Sequence, residues 1–265
     1  MTEAAVPPPP IKPLRSRVVD WVLWGALAVL LIISFGPADI GKLPLLFENS
    51  ENMRQFGREF LRPDFTQWRL YISMMWLTIQ IAIWGTVIAV VLAIPFGLLA
   101  ARNIAPPWVV QPVRRLMDVL RSVNELVMGT VFLVAVGLGP FAGVMALALH
   151  TTGVLAKLFS EAVEAIDPQP VEGIRATGAS PAEEVVWGVL PQVAPLWVSY
   201  ALYRFESNAR SATVLGLIGA GGIGQVLFES INGFAYRDTA AIALIIVVAV
   251  SFIDLLSQGI RKRLL

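Results

Sequence analysis

The stretch Glu172 to Pro191, EGIRATGASPAEEVVWGVLP, is too polar to lie in hydrocarbon, yet it stands between two long apolar runs. Pro168 and Pro170, just ahead of it, end the preceding helix and can begin a new one, because proline suits a first helical turn and not an interior. Glu172 is then expected in that first turn, where a carboxylate meets the positive end of the helix dipole. Gly178 falls where the short helix should stop, since glycine adopts the left-handed cap conformation at little steric cost. Ser180-Pro181-Ala182-Glu183 reads as an N-cap followed by an acid three residues on, opening a second helix towards Trp187. The expected product, over residues 168–191, is two short helices joined by a turn and lying along a membrane surface. An ordinary amphipathic connector is the alternative.

The rest of the chain explains what such a turn would sit beside. Of 265 residues, 56% are hydrophobic and 15% charged, with a mean hydropathy of +0.70, so this is not the composition of a soluble domain. Apolar runs of about 18 residues or more recur and argue for several transmembrane helices, an all-α polytopic membrane protein. The net charge of +1 excludes a strongly basic nucleic-acid binder. There is no cysteine and one histidine, which excludes thiol chemistry and gives no pattern for a metal site.

Residues 1–17, with Pro7 to Pro10 and Pro13, read as an extended tail with a polyproline II bias. The first apolar segment, 18–36, has the length of a full span and no small-residue cleavage site after it, so a retained helix is expected. Residues 37–69 are polar, and Glu51, Arg54, Arg58 and Glu59 fit either a short amphipathic helix or a solvated loop. A core over 70–262 follows. Its spans are expected from about Leu70 to Ala101, with Pro95 inside, then Val113 to Val136, Phe141 to Phe159, Val193 to Ile218 and Thr239 to Ile260, giving about six in all.

Six spans place both termini on one side. That side collects Lys12, Arg15, Arg17, Arg102, Arg114, Arg115, Arg121, Lys157, Arg175 and Arg261-Lys262-Arg263. The other has Arg54, Arg58, Arg62 and Arg69, diluted by Glu48, Glu51, Glu59 and Asp64. The positive-inside rule therefore puts both termini and the Glu172 stretch in the cytoplasm.

The fifth span carries Tyr203-Arg204-Phe205-Glu206-Ser207-Asn208-Ala209-Arg210-Ser211. Each ionised group costs at least about 2.5 kcal/mol at a bilayer centre. Counting from Val193, Arg204 is expected roughly 16 Å deep in a core about 30 Å thick. Arg204, Ser207, Asn208 and Ser211 share one helix face, and Glu206 and Arg210 lie four apart on the other. The first set reads as a pathway lining for an anionic oxyacid, because guanidinium matches a phosphate or phosphonate fork. Polar packing between helices is the other reading, and Glu206 with Arg210 reads equally as an internal ion pair. Leu215 to Gly224 follows, dense in glycine. No βαβ pattern accompanies it, so a dinucleotide site is rejected. Gly219, Gly221 and Gly222 suit an unwound turn that could gate a path, or close helix packing.

Taken together, Ile94 to Asn103, Ala148 to Gly153, Val171 to Gly178 and Arg204 to Gly224 resemble the permease subunit of phosphonate-type ABC importers, over roughly residues 70–262. In that family the cytoplasmic coupling loop reads Glu-Ala-Ala, three residues, Gly, and Leu-Pro twelve positions after the glycine. Glu172, Gly178 and Leu190-Pro191 keep those offsets, while Gly173 and Ile174 replace the alanines. The resemblance implies the type I importer fold shared with methionine and osmoprotectant permeases, in the plasma (inner) membrane of a prokaryote. It implies coupling to an ATPase through Glu172, Gly173, Arg175, Ala176, Thr177, Gly178, Leu190 and Pro191. The substrate path is expected at Arg204, Ser207, Asn208, Arg210 and Ser211, with a possible gate at Gly219, Gly221 and Gly222. The partners implied are a second copy of the chain, two ATP-binding subunits and an external substrate-binding protein. No G-x-x-x-x-G-K-[ST] run is present, so no cofactor is expected in this chain and ATP with Mg belongs to the motor. His150 is read as an interhelical hydrogen bonder or a path-lining group. A methionine or osmoprotectant permease, an ion-coupled secondary carrier and a membrane assembly protein are the competing readings.

Overall fold

The computed structural model describes residues 14–45 and 50–264, and among them the chain is helix and connecting turn with no strand. The proline-rich tail lies outside the described residues except for its last four, which open the first helix; Lys12 and Glu48, counted in the charge balance, lie outside them too. Two units divide the chain at Arg58 and Glu59.

In the first unit, α1 is Leu14–Phe35. Its large apolar side chains from Val19 to Phe35 are exposed all round, Trp21 and Ile32 among them, which is the surface of a helix made for hydrocarbon. A 3₁₀ turn at Ile40–Lys42 is closed by Lys42 Nζ donating to Asp39 at 2.7 Å. Helix α2, Ser50–Phe60, realises the helical option for Glu51, Arg54, Arg58 and Glu59.

The second unit holds α3 (Trp68–Ala100), α4 (Pro107–Ser122), α5 (Glu125–Val136), α6 (Pro140–Glu164), α7 (Pro168–Ala176), α8 (Pro181–Ala220), α9 (Ile223–Asn232) and α10 (Tyr236–Leu264). Helices α3, α6, α8 and α10 are long and apolar enough to cross a bilayer; α4 with α5 forms a bent fifth candidate, and α1 is apolar over Val19–Phe35. Helices α3 and α6 pack backbone to backbone through small residues: Ala82, Gly85, Ala89, Ala93 and Gly97 face Leu147, Ala156 and Phe159. In lipid, where apolar side chains gain little from leaving solvent, such close approach is what holds helices together. Three apolar clusters follow along this pair. The first stacks Phe159 on Trp197 with ring centroids 4.4 Å apart; the second centres on Ile81, Leu147 and Leu215; the third joins Tyr71, Met75, Ile223 and Ile242.

Two spans and one added helix differ from the sequence expectation. The stretch Val113 to Val136 is not one helix: α4 and α5 meet at 88°. Asn124 caps α5 by accepting from Leu126 N at 2.9 Å, Val123 is extended, and its carbonyl is bonded to His150 Nδ1 at 2.9 Å. Twelve residues give α5 a length of only about 18 Å, short of a bilayer core. The fifth span begins at Pro181 and not near Val193, because a π-turn over Glu184–Val189 carries the helix through Pro191 and Pro195. Helix α9, between the glycine turn and the last span, was not anticipated.

Candidate functional site: a coupling turn and a polar helix centre

The turn between α6 and α8 is a folded unit. Asp167 caps α7 by accepting from Gln169 N at 3.0 Å, and the two prolines occupy positions whose N–H would be free in any case. This moves Glu172 out of the first turn, where it was expected, into the second: Asp167 is the acid at the helix start. Gly178 takes a φ of +84° and its N–H donates to Arg175 O at 3.0 Å. Ser180 and Glu183 then form a reciprocal capping box. The second helix is not a separate short one; it is the first turn of α8.

Two side chains lock this turn to the spans. Arg175 donates in a bidentate fork to Glu184, at 2.9 and 2.8 Å, and that carboxylate pushes the guanidinium above its ordinary pKa, first through the hydrogen bond and then through charge. Gln192 accepts from Asp167 N at 3.1 Å and donates to the Asp167 and Gly188 carbonyls at 3.2 and 2.7 Å. Gly188 fits under Val171, where an added Cβ would stand 3.1 Å away. Glu172, Gly173, Arg175, Ala176, Thr177, Gly178 and Pro191 are exposed, as is Trp187, while Leu190 is half-buried against the first apolar cluster. The fork and the Gln192 amide thus tie α7 and its cap directly to α8.

About 21 Å along α8 from Leu190 stands Arg204. Its Nε is buried with no hydrogen-bond partner among the described residues. Ser211, two turns on, donates to Glu125 at 2.8 Å, and Glu125 stands 3.7 Å from His150 Nε2. The α4–α5 break thus delivers a carboxylate to the face that carries Arg204, Ser207 and Ser211, with His150 behind it.

The other two residues on the expected path are engaged elsewhere. Asn208 is 1% exposed; it accepts from Thr151 at 3.0 Å and donates to Thr86 at 2.9 Å, so one amide ties α8 to α6 and α3. Arg210 turns to α10, where it meets Asp254 at 3.2 Å and Glu206 more distantly at 3.9 Å. Buried Glu206 is held by Arg261 at 3.0 Å, and Arg261 lies 6.0 Å from the Tyr203 ring centroid. The expected ion pair within α8 is accordingly the weaker part of a network between two helices. The same contacts set Tyr203 and Glu206 beside Arg261 in the basic last turn of α10.

Beyond Leu215, Gly219, Gly221 and Gly222 all have positive φ, +107°, +79° and +75°. The turn is pinned from two sides: Gly139 N donates to Gly219 O at 3.1 Å, and Ile223 N donates to Thr78 Oγ1 at 2.9 Å. Unwinding and close packing coexist here. Sequence reading missed Glu125, Gln192, Thr86, Asp254 and Arg261 as site residues. Polar residues inside apolar runs were the available signal for Thr86 and Glu125; for Arg261 only its partner reveals the role.

Apolar helices that enclose ionised side chains and project a rigid polar turn define a polytopic transport permease. Residues 93–265 match the family described as binding-protein-dependent transport system inner membrane component, and the chain belongs to that family. It is 45% identical to the phosphite transport system permease protein PtxC of Stutzerimonas stutzeri over 205 residues, 77% of this chain and 74% of that protein. It is 39% identical to the phosphate-import permease protein PhnE of Mycolicibacterium smegmatis over 96% of this chain and 48% of that protein. Among solved structures it is similar to the MetNI methionine ABC transporter in an inward-facing conformation, with a TM-score of 0.66, 19% identity and coverage of 76% of this chain and 99% of that one. That likeness is one of fold, the type I importer permease fold.

Proposed function

We propose that this chain forms the translocation path of an ATP-driven importer for a phosphorus oxyanion: phosphonate, phosphate or phosphite. The observation that carries the substrate class is Arg204, a buried guanidinium nitrogen without an acceptor among the described residues, in a chain related to phosphite and phosphate permeases. A guanidinium flanked by the Ser207 hydroxyl offers donors to an oxyanion, while Ser211 holds Glu125 beside them. The nearby Glu125 carboxylate keeps the site from holding the anion too tightly, so that it can leave. Asn208 serves the helix packing and Arg210 the α8–α10 charge network.

The motor is separate. The exposed face of α7, with Glu172, Arg175 and Gly178, seats in an ATP-binding subunit, and ATP with Mg is bound and hydrolysed there. Two copies of this chain on two such subunits enclose the path, an external binding protein delivers the substrate, and both termini and the coupling turn face the cytoplasm. Closure of the motor moves α7; the Arg175–Glu184 fork and Gln192 carry that motion into α8, so the helix bearing Arg204 rocks as one body. The pinned turn at Gly219 to Gly222 is the hinge at its far end.

ATP hydrolysis by the chain reconstituted with its ATP-binding and substrate-binding partners tests this reading. Stimulation by phosphonate, phosphate or phosphite alone is expected. Stimulation by methionine or betaine would overturn the substrate class, and an ATPase rate independent of every ligand and of Glu172→Ala would overturn the coupling assignment.

A further inference from the structure

A polar cavity lies away from Arg204, where the end of α3, the middle of α4 and the last turns of α6 converge. It encloses about 230 Å³ and is lined by Arg102, Arg114, Arg115 and Lys157 together with Asp118 and Glu161. Not all of these charges are free to act on a ligand. Arg114 is committed to Glu164 at 2.5 Å and to the Ala100 carbonyl at 2.9 Å. Asp118 is committed to Arg121, which donates to it at 2.9 and 3.1 Å. Arg115 approaches Asp118, and Lys157 approaches Glu161, only to 3.8 Å, too far for a hydrogen bond. Arg102 makes no side-chain ion pair among the described residues. Three cations, Arg102, Arg115 and Lys157, thus line the cavity without a hydrogen-bonded carboxylate, Arg115 and Lys157 keeping only loose ion pairs with Asp118 and Glu161.

We propose that this cavity binds a phosphate group. Two guanidinium groups and an ammonium lining a space of several water volumes match a tetrahedral oxyanion with two or more acceptor oxygens. Helix α4 adds an indication of the source. Its exposed surface combines Trp108, 77% accessible, with Leu116, Val119 and Arg115, the composition of a helix at a membrane interface. A phospholipid headgroup reaches such a place from the bilayer; free phosphate reaches it from water. Both present the same chemistry. The cavity stands on α6 next to the α6–α7 connection, so its occupant would stiffen the support of the coupling turn.

The test uses the full-length chain in detergent, titrated with short-chain phosphatidylglycerol, short-chain phosphatidylcholine and inorganic phosphate, with tryptophan fluorescence and native mass spectrometry as readouts. Preferential retention of phosphatidylglycerol is expected, weakened about tenfold by Arg115→Gln with Lys157→Gln, a loss of roughly 1.4 kcal/mol. Glu161→Gln removes the opposing charge and should tighten binding, a gain that a misfolded variant cannot produce. Retention of phosphatidylglycerol that millimolar inorganic phosphate leaves untouched assigns the headgroup as ligand; displacement by inorganic phosphate, or phosphate binding alone, assigns the soluble anion. Equal retention of both lipids with no phosphate effect, or binding indifferent to all three substitutions, overturns the proposal.

Discussion

Replacing Asn208 with alanine separates the two uses that its helix face allows. The amide makes two interhelical hydrogen bonds, to Thr151 and Thr86, at 1% exposure. Interhelical bonds in membrane proteins contribute about 0.6 kcal/mol each on average and up to about 1.7. Two of them set the expected destabilisation at about 1.2 kcal/mol, with about 3.4 as the ceiling. The lower figure is favoured by the fate of the partners: Thr86 already donates to the Ala82 carbonyl at 2.7 Å and keeps that bond, and Thr151 can turn to the carbonyl one turn back, as Thr152 does with Ala148. Reversible unfolding in mixed detergent micelles should show this loss. A double-mutant cycle with Thr86→Val should give a coupling of about half of it, and the same should hold with Thr151→Val. A variant as stable as the parent, with altered substrate selection in the reconstituted transporter, would refute the packing role and return Asn208 to the path.

Arg261→Met leaves buried Glu206 with only Arg210, 3.9 Å away, and should destabilise the chain by about 3 kcal/mol, the lower end for a broken buried pair; Glu206→Gln in the same chain should restore most of that, measured by thermal unfolding in detergent. Gly222→Ala places a methyl against the Thr78 side chain at a φ of +75° and should cut the yield of folded protein sharply, whereas Gly259→Ala, with nothing within 4 Å, should not; size-exclusion profiles compare them. The Asp64 carboxyl accepts from the Thr66 hydroxyl at 2.5 Å and the Thr66 amide at 2.9 Å, and the hydroxyl bond first, then the amide bond, hold it below its ordinary value of 3.8. A depressed carboxyl stabilises the fold above its ordinary pKa, and that contribution disappears as pH falls below about 3.8 through the lowered value. Limited proteolysis between Leu61 and Thr66 should rise over that window, and Asp64→Asn should abolish the pH dependence.

Features written in local chemistry were legible from sequence. Pro168 and Pro170, Gly178 and the Ser180–Glu183 box each act within a turn of themselves, so their spacing alone marks the stop and the start. The bend at Val123 was not, because no glycine or proline marks it: Asn124 supplies the cap, and the freed Val123 carbonyl is met by His150 from α6. The fifth span was expected from about Val193, yet the π-turn ahead of Pro191 and Pro195 and the Gln192 amide accommodate both prolines within one longer helix. The direction of Arg210 depends on Asp254, 44 positions away, and periodicity carries no information about which neighbour a helix face will meet. Arg204 was readable for the opposite reason. Its cost in an apolar run stands out whatever surrounds it.

The π-turn at Glu184–Val189 is also a record of phase. It holds one residue more than an α-turn would, and one residue is worth about 100° of rotation about a helix axis. Everything ahead of it, including the surface of α7 that bears Glu172, is thereby indexed by that angle against everything behind it, including Arg204. The chain sets the bearing of its α7 surface independently of the bearing of its polar face, with a single surplus residue as the adjustment between them.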